Sequence, residues 1–267
     1  MRLLTFLLIV LGFYAAATLL LFLEQRSFIY PAPRAREDIE RLLPGLQPVE
    51  LRTSDGLTLV AGYKPARAGM PTIVFFHGNG DTLRGAVAAT DRLAEAGYGL
   101  LLPEYRGYGG NPGSPSEEGL VRDGQAALDW LARAQVPAAR TILVGNSLGS
   151  GVATDLASTH TVAGLILISG FSSLPEVAAA HVRFFPARML VRDRFDNAGK
   201  LPRVRAPILL LHGTEDRMID ASHGQRLAGA NSRAALMLVP GTGHELAYLP
   251  QSQSAILTWL AKHHGGA

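Results

Sequence analysis

From residue 3 to residue 23 the chain reads LLTFLLIVLGFYAAATLLLFL, with no charge and no polar alternation. An apolar run of about 20 residues is what a helix needs to cross a hydrocarbon core, so the pattern predicts one N-terminal transmembrane helix within residues 1–25. A cleaved signal peptide is the rival reading, because Ala15, Ala16 and Ala17 could serve a small-residue cleavage site. A signal's apolar region ends before that site, whereas here TLLLFL continues beyond it. Arg2 precedes the span and Arg26, Arg34 and Arg36 follow it, which leaves the orientation open.

Residues 26–45 are charged and punctuated by proline, and predict a connector with a short helix near residues 37–43. Apolar and polar positions then alternate on both sides of Asp55-Gly56, the pattern of an antiparallel hairpin. Six short apolar runs follow, at residues 72–78, 99–105, 141–147, 164–170, 207–213 and 234–241. Such unbroken runs fit strands covered on both faces. Helix-like segments lie between and after them, at 83–96, 116–134, 149–159, 223–227 and 253–262. The alternation predicts an α/β domain over residues 46–267, with a mostly parallel central sheet and helices on both faces. Residues 171–206 form the one long insertion between core strands and predict a small cap.

Composition narrows the function classes. The net charge of +3 comes almost wholly from scattered arginines, since Lys64, Lys200 and Lys262 are the only lysines. No basic stripe forms, so nucleic acid is not an expected partner. Mean hydropathy is +0.16, high for a soluble enzyme, and the N-terminal run accounts for the excess. The chain has no cysteine, which excludes disulfides, thiol nucleophiles and cysteine-ligated metals.

In open α/β sheets, ligands gather beyond the carboxyl ends of the strands, and the chain places its notable polar residues there. GNSLG, residues 145–149, matches G-x-S-x-G: a serine on a tight strand-to-helix turn between residues small enough for the crowded backbone. Alone, the pentapeptide is a modest signal; its context of strand before and helix after strengthens it. A serine hydroxyl needs a base to take its proton and an acid to orient that base. Of eight histidines, His244 lies after the last strand among small residues and is the expected base, while His77 and His212 end strands and are expected to shape loops. Asp216 is the expected acid; Glu215 should point away, and Asp220 should cap the following helix. The N–H of Leu148 and that of Asn79, in the loop after VFFHG, are the expected oxyanion donors. GYGGNPG lacks the lysine and the spacing of a phosphate loop, and His244-Glu245 has no second histidine four residues on, so neither a cofactor nor a metal is expected.

The chain resembles the α/β-hydrolase-fold serine hydrolases, and more narrowly their membrane-anchored Bem46/ABHD13-like branch. The resemblance rests on the N-terminal apolar run, FIYPAP, FFHGNG, PEYRGYGGNPGSPSEEGL, GNSLGSGVA, LLLHGTEDRMI and GTGHEL, which together cover nearly the whole chain. It implies a triad of Ser147, Asp216 and His244 with Asn79 and Leu148 as the oxyanion pair. Glu104 stands where such proteins often carry aspartate, in a loop expected to be structural. The expected activity is cleavage of carboxylic esters, including thioesters or lipid acyl esters, through an acyl-enzyme. A serine peptidase or amidase of the same fold is the alternative within the enzyme class, and a catalytically silent membrane-anchored interaction module the alternative outside it.

Overall fold

In the computed structural model, which describes residues 1–264, eight strands form one sheet in the order β1-β2-β4-β3-β5-β6-β7-β8. In chain order the elements are α1 (Arg2–Ile29), β1 (Gln47–Arg52), β2 (Thr58–Lys64), β3 (Thr72–Phe76), α2 (Leu83–Ala88), α3 (Asp91–Glu95) and β4 (Gly99–Pro103). They continue with α4 (Glu117–Arg133), β5 (Thr141–Asn146), α5 (Gly149–Thr159), β6 (Gly164–Ile168), α6 (Leu174–His181), α7 (Ala187–Leu190) and α8 (Asn197–Lys200). The last four are β7 (Ile208–Gly213), α9 (Ser222–Ala230), β8 (Ala234–Val239) and α10 (Pro250–His264). Strands β1, β2 and β4 pair antiparallel and every other neighbouring pair is parallel.

The unbroken apolar runs are explained by burial on both faces. In β3, Val74 and Phe76 join the apolar cluster under α4, α5 and α9, while Ile73 and Phe75 join the one under α2, α3 and α10. Strands β5, β6 and β7 divide in the same way: Leu143 and Leu165 go to one side, Ile142 and Ile166 to the other. Each fully buried side chain of this size contributes about 1.5–3 kcal/mol of transfer free energy. At the edges the pattern relaxes, and the first four residues of β8 alternate between half-buried and exposed positions.

Three expected elements differ in extent. The N-terminal helix does not stop at residue 25 but continues to Ile29, because Gln25 and Ile29 turn inward onto the insertion after β6. The segment near residues 37–43 is only a 3-10 turn, Ile39–Arg41. Residues 83–96 form two helices, since the Thr90 hydroxyl donates back to the Ala86 carbonyl at 2.7 Å and the chain turns there.

The hairpin is held to the sheet by a buried cation. Arg106 donates from Nε to Asp123 at 2.8 Å, from its backbone N–H to the other Asp123 oxygen at 2.9 Å, and from its guanidinium to both oxygens of Asp55 at 2.8 and 3.1 Å. These bonds hold the Asp55 carboxyl well below its ordinary range. Leading away from β3, the chain goes first to β4 on one side and then to β5 on the other, so the strand order reverses between β3 and β5. That reversal opens a crevice at their carboxyl ends.

Candidate active site

Ser147 lies at that crevice, on the turn from β5 to α5, with φ of +51°. A non-glycine residue there is strained and persists only because its surroundings hold it. The Ser147 N–H donates to the Ile168 carbonyl at the end of β6, 2.9 Å away. The flanking glycines are required by the backbone itself. A β-carbon on Gly149 would collide with the Phe76 carbonyl, and one on Gly145 with the carbonyl of Gly149. The turn therefore presents the serine hydroxyl and little else.

His244 and Asp216 reach the same point from the loops after β8 and β7. His244 Nε2 is 2.9 Å from Ser147 Oγ, and His244 Nδ1–H donates to Asp216 Oδ2 at 2.8 Å. The other Asp216 oxygen accepts the backbone N–H groups of Met218 and Ile219, both at 2.9 Å. Its side chain is wholly buried, whereas that of His244 retains 26% of its exposure toward the cleft. Burial alone would raise the Asp216 carboxyl, but the His244 bond and the two backbone donors outweigh it and hold it below the ordinary carboxylate value. Asp216 is therefore ionised at neutral pH. Glu215 is exposed and takes no part, and Asp220 accepts the Ser222 N–H from two residues ahead of α9.

Asn79 lines a cleft of about 230 Å³ with Gly78, Asn146, Ser147 and His244, and Leu148 follows Ser147 at the start of α5. Neither the Asn79 nor the Leu148 backbone N–H donates to a protein acceptor among the described residues. Two unengaged backbone N–H groups, one in the residue after the serine and one in a residue lining the same cleft, are what an oxyanion site requires.

Comparison with known proteins agrees with this architecture. Residues 69–195 match the family model described as serine aminopeptidase, S33. An uncharacterized protein of Mycobacterium tuberculosis is 38% identical over 228 residues, a span covering 83% of this chain and 80% of that protein. An esterase structure from Pyrococcus furiosus superposes with a TM-score of 0.72 at 17% identity, over 89% of this chain and 99% of that one. The chain belongs to the α/β-hydrolase family. A structure described as a membrane phospholipase A and bacterial virulence factor shares the fold over 99% of both chains, with a TM-score of 0.64 and 18% identity. The protein is thus a hydrolase of the α/β fold.

Around the cleft, the hydrolase carries supports that local sequence patterns did not reveal. His77 is fully buried and packs against the rings of both Tyr105 and Tyr108, which also touch each other. Its Nδ1–H donates to the Gly78 carbonyl at 2.8 Å and its Nε2–H to Glu104 Oε1 at 2.9 Å. Tyr105 and Tyr108 donate to the carbonyls of His77 and Asn79, so the loop carrying the Asn79 N–H is fastened at each residue. Both His77 partners are acceptors, which favours the imidazolium. Burial works against that charge, but Glu104 more than offsets it and the His77 pKa is raised. His212 donates from Nε2 to the Ile219 carbonyl at 2.7 Å and so braces the turn that holds Asp216. Met218 and Tyr248 line the cleft, and the Tyr248 hydroxyl donates to Asp81 at 2.7 Å. A second serine–histidine contact, Ser172 to His223 at 2.8 Å, is no competitor. His223 Nδ1 already accepts the Ser172 N–H and Arg226, and burial followed by Arg226 pushes its pKa down to about 4.

The His77–Glu104 pair gives a pH signature. A histidine whose folded pKa is raised contributes stability that is complete below its unfolded value of about 6.5 and lost as pH rises through the folded value. Glu104→Gln removes the partner of a fully buried charge. At pH 6 it is expected to lower unfolding free energy by about 3 kcal/mol. The difference from the parent protein should shrink as pH rises above 6.5, because the parent loses the contribution that the variant never had. Urea unfolding at a series of pH values measures this, and a difference independent of pH would show that His77 is not charged in the folded state.

Proposed function

We propose that the protein is a membrane-anchored serine hydrolase that cleaves carboxylic esters through an acyl-enzyme on Ser147. The reading is carried by one observation: the unbroken line from Asp216 through His244 to Ser147, with contacts of 2.8 and 2.9 Å. In the first step His244 Nε2 takes the hydroxyl proton while Oγ bonds to the ester carbonyl carbon, and the carbonyl oxygen becomes an oxyanion facing the Asn79 and Leu148 N–H groups. Collapse expels the alcohol, which takes the proton from His244. Water then attacks the acyl-enzyme by the same route, giving the acid and restoring the hydroxyl. Ionised Asp216 favours the imidazolium that forms in both steps and holds Nδ1 protonated.

Residues 171–206 act as a small cap over the catalytic domain, which spans residues 46–267. The anchor is α1, whose residues 3–13 lie bare: Leu4, Leu8 and Leu11 are each more than half exposed, an apolar surface larger than a soluble monomer leaves in water. Lipid acyl esters are the favoured substrate class, since the apolar N-terminal helix would hold the cleft close to lipid. One residue favours the peptidase alternative, because Asp81 lines the cleft and could pair with a substrate α-ammonium group.

The test is a fluorophosphonate probe followed by peptide mapping. The expected result is one adduct, on Ser147 of the folded protein; labelling elsewhere, or none, would remove the proposal. Alongside it, p-nitrophenyl esters of graded chain length should turn over much faster than aminoacyl p-nitroanilides.

A further inference from the structure

The lower half of α1 is not bare. Thr18, Leu21, Phe22, Gln25 and Ile29 are half-buried or buried and lie on one helical face, turned toward the insertion after β6. Gln25 donates to the Leu190 carbonyl at 3.3 Å and accepts the Arg192 N–H at 2.7 Å. Arg26 grips both oxygens of Asp193 at 3.0 Å, and the Arg192 guanidinium sits 4.2 Å above the Phe22 ring. Farther toward the N-terminus, the Tyr14 hydroxyl donates to the Phe184 carbonyl at 2.8 Å. Contacts at residues 14 and 25 lie about 17 Å apart along the axis, at 1.5 Å per residue. The cap therefore runs beside the helix for a distance comparable to one leaflet.

This alignment conflicts with a picture in which α1 alone enters the membrane. Crossing a hydrocarbon core of about 30 Å takes about 20 residues, nearly all of the apolar run from 3 to 23. Residues 3–13 alone would reach only about half that thickness. Tyr14 then lies near the middle of the span, and whatever is bonded to it lies at a similar depth. The segment bonded to it is suited to that depth. Phe184 is 87% exposed and Met189 81%, with Val182 between one third and one half exposed. In hydrocarbon an unpaired hydroxyl or carbonyl costs several kcal/mol, and here Tyr14 and Phe184 satisfy each other. Arg188, beside the apolar tip, is paired with Glu176 of α6 at 2.9 Å, so its charge is neutralised within the cap.

We infer that residues 182–190 of the cap form a second membrane-inserted element, immersed beside α1 in the leaflet on the catalytic side, with Phe184 and Met189 in contact with lipid acyl chains. The occupant of this apolar surface is the bilayer, because the surface is continuous with the anchor helix through the Tyr14–Phe184 contact. The inference rests on the proposal that α1 spans the membrane. It brings the bilayer close to the chemistry: His181, at the end of α6, donates from Nε2 to the Met218 carbonyl at 2.8 Å, and Met218 lines the Ser147 cleft. On the other side Asn79 donates from its side chain to the Ile29 carbonyl at 3.3 Å, joining the end of α1 to the oxyanion loop. Both membrane elements are thereby tied by single contacts to residues lining the Ser147 cleft.

The absence of cysteine makes the test clean. Single cysteines are introduced in the full-length chain as Phe184→Cys, Met189→Cys, Leu8→Cys in the anchor, and Met237→Cys on the exposed edge strand. Each is labelled with an environment-sensitive fluorophore in vesicles of phosphatidylcholine and phosphatidylglycerol containing mid-chain nitroxide lipids. Quenching at 184 and 189 is expected to reach at least half of that at residue 8, with little at 237. Quenching at 8 but not at 184 or 189 would overturn the inserted cap and leave the anchor standing. Loss of quenching at all three would overturn both. Labels at 184 and 189 shielded from aqueous iodide and from lipid nitroxide alike would mean a protein partner instead, which also overturns the inference.

Discussion

Ser147→Ala is expected to lower kcat for ester hydrolysis by about 10⁴-fold or more while leaving the fold intact. In the proposed reaction the hydroxyl oxygen becomes covalently bound, and Ser172 is not placed to replace it, since it is engaged by His223 and Arg226, and no cysteine exists. A factor of 10⁴ corresponds to about 5.5 kcal/mol of transition-state stabilisation. Residual activity would come from the Asn79 and Leu148 N–H groups and from substrate binding. Stability should barely change. Position 147 already carries a β-carbon at φ +51°, so alanine adds no new steric cost, and among the described residues Oγ has only His244 as a partner. Steady-state kinetics, probe labelling and a melting curve on the same preparation separate the two effects. Retention of more than a few per cent of kcat with an unaltered melting point would show that Ser147 is not the nucleophile.

How much of this was legible in the sequence depended on the range of the interactions. The strands announced themselves because each run was buried on both faces, a property of single residues in order. Ser147 was legible for the same reason, since the glycines that its turn demands are its near neighbours. Asp216 and His244 could be selected only by their place after strands, and the parallel topology converts such places into proximity. The missed features all join distant parts of the chain. Gln25 and Arg26 resemble water-facing ends of an anchor until Leu190 and Asp193 appear beside them, more than 160 residues away. The His77–Glu104 pair, the His212 brace and the lining role of Met218 and Tyr248 likewise depend on which loops meet, and no periodicity encodes that. The break at Thr90 was hidden because a back-bonding threonine suits either a continuous helix or a corner.

Asp216→Asn should be almost as damaging as loss of the nucleophile, and the structure indicates why an isosteric change would act so strongly. One carboxylate oxygen accepts the Met218 and Ile219 N–H groups at 2.9 Å each, and only an oxygen can do so. An asparagine must therefore place its carbonyl there and turn its NH₂ toward His244, where the present contact is 2.8 Å. Two donors cannot face each other, so His244 must give up its Nδ1 proton and carry it on Nε2. The nitrogen beside Ser147 then becomes a donor and can no longer accept the hydroxyl proton. The reversed tautomer predicts a fall in kcat of about 10⁴-fold at neutral pH with KM nearly unchanged, since the cleft keeps its shape. Asp216→Ala should differ in a diagnostic way. It abandons the two N–H groups in a buried site, a loss of about 1–3 kcal/mol for each unsatisfied group, and so should lower the melting temperature as well as kcat. Nitrogen-15 chemical shifts of His244 read the tautomer directly. A variant asparagine with Nδ1 still protonated and activity still lost would refute the tautomer explanation, because the damage would then have to come from the missing charge alone.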